Sequence, residues 1–255
     1  MKTVTTLFAL FLLALPTQAQ DVATRIIETK ALMATAMDAN HMDGLRQARA
    51  SFERLSQDEV HAPLAHYYIA RIESHLMNLV MQEDEDAAID YADSALDHLD
   101  IATELDEDFA EAYAMMSSIL GRKSGLQPMR AMFLGPKSER MMSKALDMEP
   151  DNPRILLIDA ISLYYKPSMF GGDKDRAREG FERAADLFAE EARTPSVQPT
   201  WGHDEVHAWI GLGHIDLGDY EAAHVAFNEA LAVNPNYGWV KYVLMPKLEK
   251  RMADG

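Results

Sequence analysis

Residues 204–237 read DEVHAWIGLGHIDLGDYEAAHVAFNEALAVNPNY, and this stretch decides the fold. Apolar residues recur at spacings of three and four on both sides of the turn Gly218-Asp219-Tyr220, the pattern of two amphipathic helices folded back on each other. Small residues stand at Gly211, Ala223 and Ala230, where the paired helices must approach closely. Phe227 fills the space between them, and Pro235 stops the second helix, because a proline disfavours helical backbone in the residue before it.

This set resembles one complete tetratricopeptide repeat of 34 residues. Weaker copies precede it. Ala177, Phe181 and Ala184 repeat the second-helix pattern after a first helix at Pro153 to Tyr165. Ala110 to Gly121 supplies another first helix, with Met142, Ala145, Leu146 and Pro150 closing its partner. Ala95, Leu99 and Ala102 pair with Leu64 to Met81, and Ala48 with Phe52 marks a frayed first unit. The units fall at about 22–57, 62–108, 109–150, 153–192 and 204–237 within a repeat domain of 20–253. Extended connections are expected at Arg122 to Gly135 and Lys166 to Asp173, and a closing helix at Asn236 to Met252 that Pro246 kinks or interrupts. The resemblance implies an all-α fold, a right-handed α-solenoid of stacked antiparallel helix pairs. The segments that depart from the repeat, among them Pro167 to Gly172 and Pro199-Thr200-Trp201-Gly202, resemble a group of exported bacterial repeat proteins that carries no assigned activity.

The N-terminus places Lys2 before a short apolar run, Val4 to Leu15, and ends it at Thr17-Gln18-Ala19. This is the pattern of a secretory signal peptide at 1–19, cut after Ala19. The run is about 12 residues, against roughly 20 for a membrane span, so no anchor is expected after cleavage. A periplasmic or secreted location follows. Cysteine is absent, which excludes disulfide scaffolds, thiol nucleophiles and a lipidated N-terminal cysteine. The net charge is −17, from 41 acidic against 24 basic residues, a balance that disfavours nucleic acid and anionic membrane surfaces as partners.

In the family that the chain resembles, the first helices of successive units line a concave groove that holds a peptide or protein partner. Carried over to this sequence, the lining includes Tyr67, Arg71, Arg122, Arg154, Leu157, Ile161, Tyr164 and Tyr165. Tyrosine offers a rigid apolar face and one directional hydroxyl, and arginine grips a carboxylate with two parallel bonds, unless a neighbouring acid already occupies it.

Three other patterns compete with this reading. His203, His207 and His214 share one helical face at a spacing that suits zinc or copper, although His207 and His214 fall where repeats carry core aromatics. Methionines crowd one unit, from Met115 to Met148, as core filler or as soft ligands for Cu(I). Asp86, Asp90, Asp93, Asp97, Asp100 and Glu104 form an acidic helical stripe, either solvated or open to a basic partner. Gly171-Gly172 lacks the Gly-Lys-Ser/Thr ending of a phosphate loop and reads as a helix-initiating turn. No hydrolase elbow, zincin motif or carboxylate pair is present, so neither catalysis nor a cofactor is expected. A ligand-binding protein or an enzyme whose site is built by the long insertions remains the other alternative.

Overall fold

The computed structural model of the chain describes residues 15–191 and 194–254, with side chains over 21–191 and 194–253. Among the described residues there is no strand. The helices are α1 (Leu15–Asp38), α2 (Met42–Leu55), α3 (Ala62–Val80), α4 (Glu85–Leu105), α5 (Ala110–Leu126), α6 (Ala131–Met148), α7 (Pro153–Tyr165), α8 (Lys174–Glu190), α9 (His203–Asp216), α10 (Tyr220–Val233) and α11 (Met245–Asp254). Each odd-numbered helix from α1 to α9 packs most extensively on the helix that follows it, and successive pairs stack through α2–α3, α4–α5, α6–α7 and α8–α9. The chain is therefore an α-solenoid of antiparallel pairs, closed by α11. Residues 1–14 of the expected signal peptide lie outside the described residues, and α1 runs unbroken across Ala19. No helix among the described residues is long and apolar enough to cross a membrane.

Short side chains set the spacing inside each pair. Ala223, Phe227 and Ala230 are all fully buried. A Cβ placed on Gly211 would lie 2.3 Å from the Phe227 ring, so α9 and α10 can approach this closely only because that position has no side chain. Ala177, Phe181 and Ala184 repeat the arrangement in α8. Caps fix the helix starts: Asp84, Asn152, Asp173 and Asp219 each accept a bond from backbone N–H groups of the first turn. Such a cap contributes about 1 kcal/mol.

The connection expected at Arg122 to Gly135 is mostly helix. Arg122 and Lys123 extend α5 because their side chains find partners on the preceding pair, Arg122 at Ser74 and Asn78, Lys123 at Asp93. Only a single 3-10 turn, Pro128–Arg130, separates α5 from α6. Gly135-Pro136 sits inside α6, near its start. The second connection holds a 3-10 turn, Ser168–Phe170, and the Asp173 N–H returns to the Leu163 carbonyl at 3.0 Å. Pro246 does interrupt the C-terminal helix: the ladder widens to a π-turn over Val240–Leu244 just before it, which accommodates a residue that donates no hydrogen bond.

The two ends of the array also meet. The Asn234 amide, past α10, donates to both carboxylate oxygens of Asp38 at 3.1 Å and to Asp204 at 2.8 Å. Gly238 lies so close to the Asp38 carbonyl that a Cβ there would stand 2.0 Å from it.

Candidate functional site

The first helices α1, α3, α5, α7 and α9 bring side chains together from residues far apart in sequence, and the segment between α8 and α9 crosses them. Lys30 of α1 donates to the Ser196 carbonyl at 2.7 Å and also to that of Gln198. The Tyr68 hydroxyl of α3 donates to the Val197 carbonyl at 2.6 Å, and Arg154 of α7 reaches the Trp201 carbonyl at 3.5 Å. Trp201 Nε1–H donates to the Tyr67 hydroxyl at 2.9 Å, and the Arg71 guanidinium lies 3.9 Å from the centroid of the Trp201 ring. Four backbone carbonyls of this strap are thus taken by side chains of the groove, and one indole is sandwiched against it. Groove domains hold extended peptides in this way, by the main chain for affinity and one anchor for register. Burial, and then the nearby charge of Arg154, lower the Lys30 ammonium to about 8.

Beneath the strap lies a charged network. Arg154 Nε donates to Glu111 at 2.7 Å, and its two terminal nitrogens form a fork on Glu191 at 2.9 and 2.5 Å. Glu111 accepts in addition from Tyr67 at 3.2 Å and from Asn152 at 2.9 Å. Arg154 and Glu111 are both buried, so each neutralises a charge that would otherwise be costly to desolvate.

Further along α3 and α5 the balance is cationic. Arg122 donates to Asn78 at 2.6 Å, Ser74 at 2.7 Å and Ser118 at 3.2 Å, all uncharged partners. Burial brings its guanidinium down to about 10. Arg71 has no acceptor for its buried Nε. His75, beside both arginines, is held down at about 4 by burial first and their charges second. Glu205 of α9 faces this region, and burial pushes its carboxyl above the usual range.

The tetratricopeptide-repeat family model matches residues 204–237, which form α9, α10 and the turn between them. Residues 204–237 are thus one tetratricopeptide repeat. No curated protein matches its sequence. Among solved structures, the HusA haemophore from Porphyromonas gingivalis is similar at 23% identity and a TM-score of 0.60, covering 78% of this chain and 93% of that one. TTC0263, a thermophilic repeat protein of Thermus thermophilus, is similar at 16% identity and a TM-score of 0.55, covering 89% and 97%. At such identities the likeness is one of fold.

Within this repeat protein the expected groove residues divide. Tyr67, Leu157 and Arg154 are buried, the first and last by the network and strap, Leu157 under Gly202 at the strap's end. Gly202 takes φ +106, and a Cβ there would meet Phe188 at 2.6 Å. Arg154 is filled by Glu111 and Glu191, whereas Asp151, three residues before it, pairs with Arg183. Arg71 and Arg122 lie together on the cationic stretch. Ile161 packs half-buried beside α8 and α9. Tyr164 donates to Asp216 at 2.8 Å and stands edge-on to Trp209, while Tyr165 is exposed at the mouth of the α7–α8 connection.

The competing patterns are placed as well. His203 stacks between Phe188 and His207, His207 pairs with Glu229 at 3.2 Å, and His214 lies almost two turns further along. Among the described residues no three His, Cys, Asp or Glu side chains converge as a metal group. Met115, Met116 and Met142 are core, but Met129 and Met132 are exposed. The acidic stripe faces outward on α4, with Asp93 taken by Lys123. Sequence reasoning missed Lys30, Tyr68, Glu191 and the strap itself. The only signal for the strap was the run Pro195 to Gly202, too rich in breakers for a helix and too long for a turn.

Proposed function

We propose that this repeat protein is an exported scaffold whose groove takes an extended peptide or protein segment, and that it acts by binding rather than catalysis. One observation carries the reading: the strap from Thr194 to Gly202 is itself held by its main chain, its carbonyls taken by Lys30, Tyr68 and Arg154 and its indole by Tyr67 and Arg71. The groove has the groups for such a ligand, and an external segment of similar character competes for them. The test replaces residues 195–201 with glycine and serine and adds a labelled peptide of the native strap sequence. Binding by the folded variant, read as fluorescence anisotropy and lost when Lys30 and Tyr68 are also substituted, supports the reading; a folded variant that ignores the peptide overturns it. Export is tested by mass spectrometry of protein from its host, which should begin at Gln20.

A second reading is favoured by the exposed Tyr165 and Met169, a phenol at the end of α7 and a thioether four residues on in the connection to α8. HusA is named a haemophore. If this chain also takes haem there, absorbance titration should saturate and Met169→Ala should shift the spectrum; an unchanged spectrum on mixing removes the reading.

A further inference from the structure

The α5–α6 and α7–α8 connections fall along the same edge of the stack, because the pairs stack with like helices side by side. Each carries an exposed Met-Phe, the first in the opening turn of α6 and the second in the 3-10 turn Ser168–Phe170. Met132 and Phe133 are 72% and 70% exposed, with Met129 at 93%, and Met169 and Phe170 are 81% and 66% exposed. An ion pair links the two regions: Lys166, three residues before Met169, pairs with Glu139, six residues beyond Phe133. Exposed apolar side chains grouped along one edge mark a surface that meets something.

The local charge says what. From Arg122 to Lys144 the chain has six Lys or Arg and one acid, in a protein whose net charge is −17. Arg130, Lys137 and Arg140 are exposed and form no ion pair, while the cations of the second tip, Lys166 and Lys174, are taken by Glu139 and Asp216. The neighbouring α3–α4 turn is acidic, from Glu83 to Asp86. Apolar side chains and unpaired cations therefore coincide on this edge at the tips alone, among the described residues.

We propose that these tips are a docking surface for a membrane bearing anionic headgroups, with Met129, Met132, Phe133, Met169 and Phe170 entering the interface and Arg130, Lys137 and Arg140 resting on the headgroups. The tips project as two short turns, and a fluid lipid surface closes around projecting side chains without needing matched pockets. Phenylalanine suits the apolar boundary of the bilayer, and each cation near an anionic surface adds attraction that decays within a Debye length. The acidic bulk of the chain then limits docking to this one orientation.

The test is co-sedimentation of protein purified from its host with phosphatidylcholine vesicles containing about 30% phosphatidylglycerol, against phosphatidylcholine alone. Wild type and variants are compared with the same first residue, checked by mass spectrometry, so differences between them read the tips. The anionic vesicles should bind at least tenfold more protein. Phe133→Ser with Phe170→Ser should lose about tenfold, as should Arg130→Gln with Lys137→Gln and Arg140→Gln, both with unchanged melting because these side chains are exposed. High salt should erase the preference for the anionic vesicles. Equal binding to both vesicles, variants that bind like wild type, or a dimer of the free protein that the Phe133 and Phe170 substitutions dissolve would each overturn the proposal.

Discussion

Trp201 donates its indole N–H to the hydroxyl of Tyr67, 134 positions away in sequence. The bond ties the last segment before α9 to the second pair of the array. The same indole lies beneath Arg71, so one side chain couples the strap to the groove by a hydrogen bond and a cation–π contact.

Trp201→Ala should destabilise the protein by about 2 to 3 kcal/mol, below the ~3–5 typical of a fully buried tryptophan because this one is half-buried. For a chain of this size that is a fall of roughly 5 to 10 °C in Tm. Protease should then cut the strap before the helices. A variant that melts normally and resists cleavage there would show that the strap is held by its carbonyls alone.

Arg154 anchors two carboxylates, one of them buried. Arg154→Ala should cost about 3 to 5 kcal/mol, since it leaves Glu111 desolvated without its cation. Adding Glu111→Gln should restore part of that loss, because the buried charge disappears with its partner. Urea unfolding of the single and double variants separates the two effects, and strictly additive losses would mean that the pair is not coupled.

His75 supplies a pH prediction. Its folded-state value of about 4 lies below the ~6.5 of an unfolded histidine, so between those values the unfolded chain binds more protons. Its contribution to stability is complete above pH ~6.5 and is lost as the pH falls toward 4. NMR titration of the imidazole should show a neutral ring down to about pH 5, and Arg71→Ala should move the midpoint upward by removing a neighbouring positive charge. A midpoint unmoved by that substitution would place Arg71 too far away to matter.

Two glycines in helices should respond with opposite sign. Gly211→Ala should cost about 1 to 3 kcal/mol, because its Cβ would collide with the Phe227 ring. Gly135→Ala meets nothing within 4 Å and should stabilise by up to ~1 kcal/mol through helix propensity. Thermal melts of both variants decide it, and equal shifts would remove the role assigned to close packing.

The fold was legible because the repeat's signals are local: the small residues at Gly211, Ala223 and Ala230 and the ring of Phe227 are set by contacts within one helix pair. The α5–α6 connection was misjudged for a related reason. Glycine and proline at 135 and 136 read as breakers, but α6 runs through both, and Arg122 extends α5 by bonding to α3, which no local pattern reveals. The arginines stood out by rarity, yet their roles differ through partners on other pairs: Arg154 is filled by Glu111 and Glu191, whereas Arg71 stacks on Trp201. The strap was illegible because its meaning lies wholly in long-range contacts, such as the bond from Tyr68 to Val197.

A linear solenoid can fray from either terminus, losing one pair at a time. The clasp of Asn234 on Asp38, with Gly238 seated against the Asp38 carbonyl, removes that freedom, because neither terminal pair can open without breaking contact with the other. Opening becomes a concerted event, so amide exchange in α1 and α10 should be as slow as in the middle of the array. Closing a chain of nearly two hundred residues is also the slowest entropic step available to it, so the clasp should lock only after the pairs between have stacked. Permuting the chain, by joining its natural termini and cutting it between α4 and α5, would turn that last step into an early one.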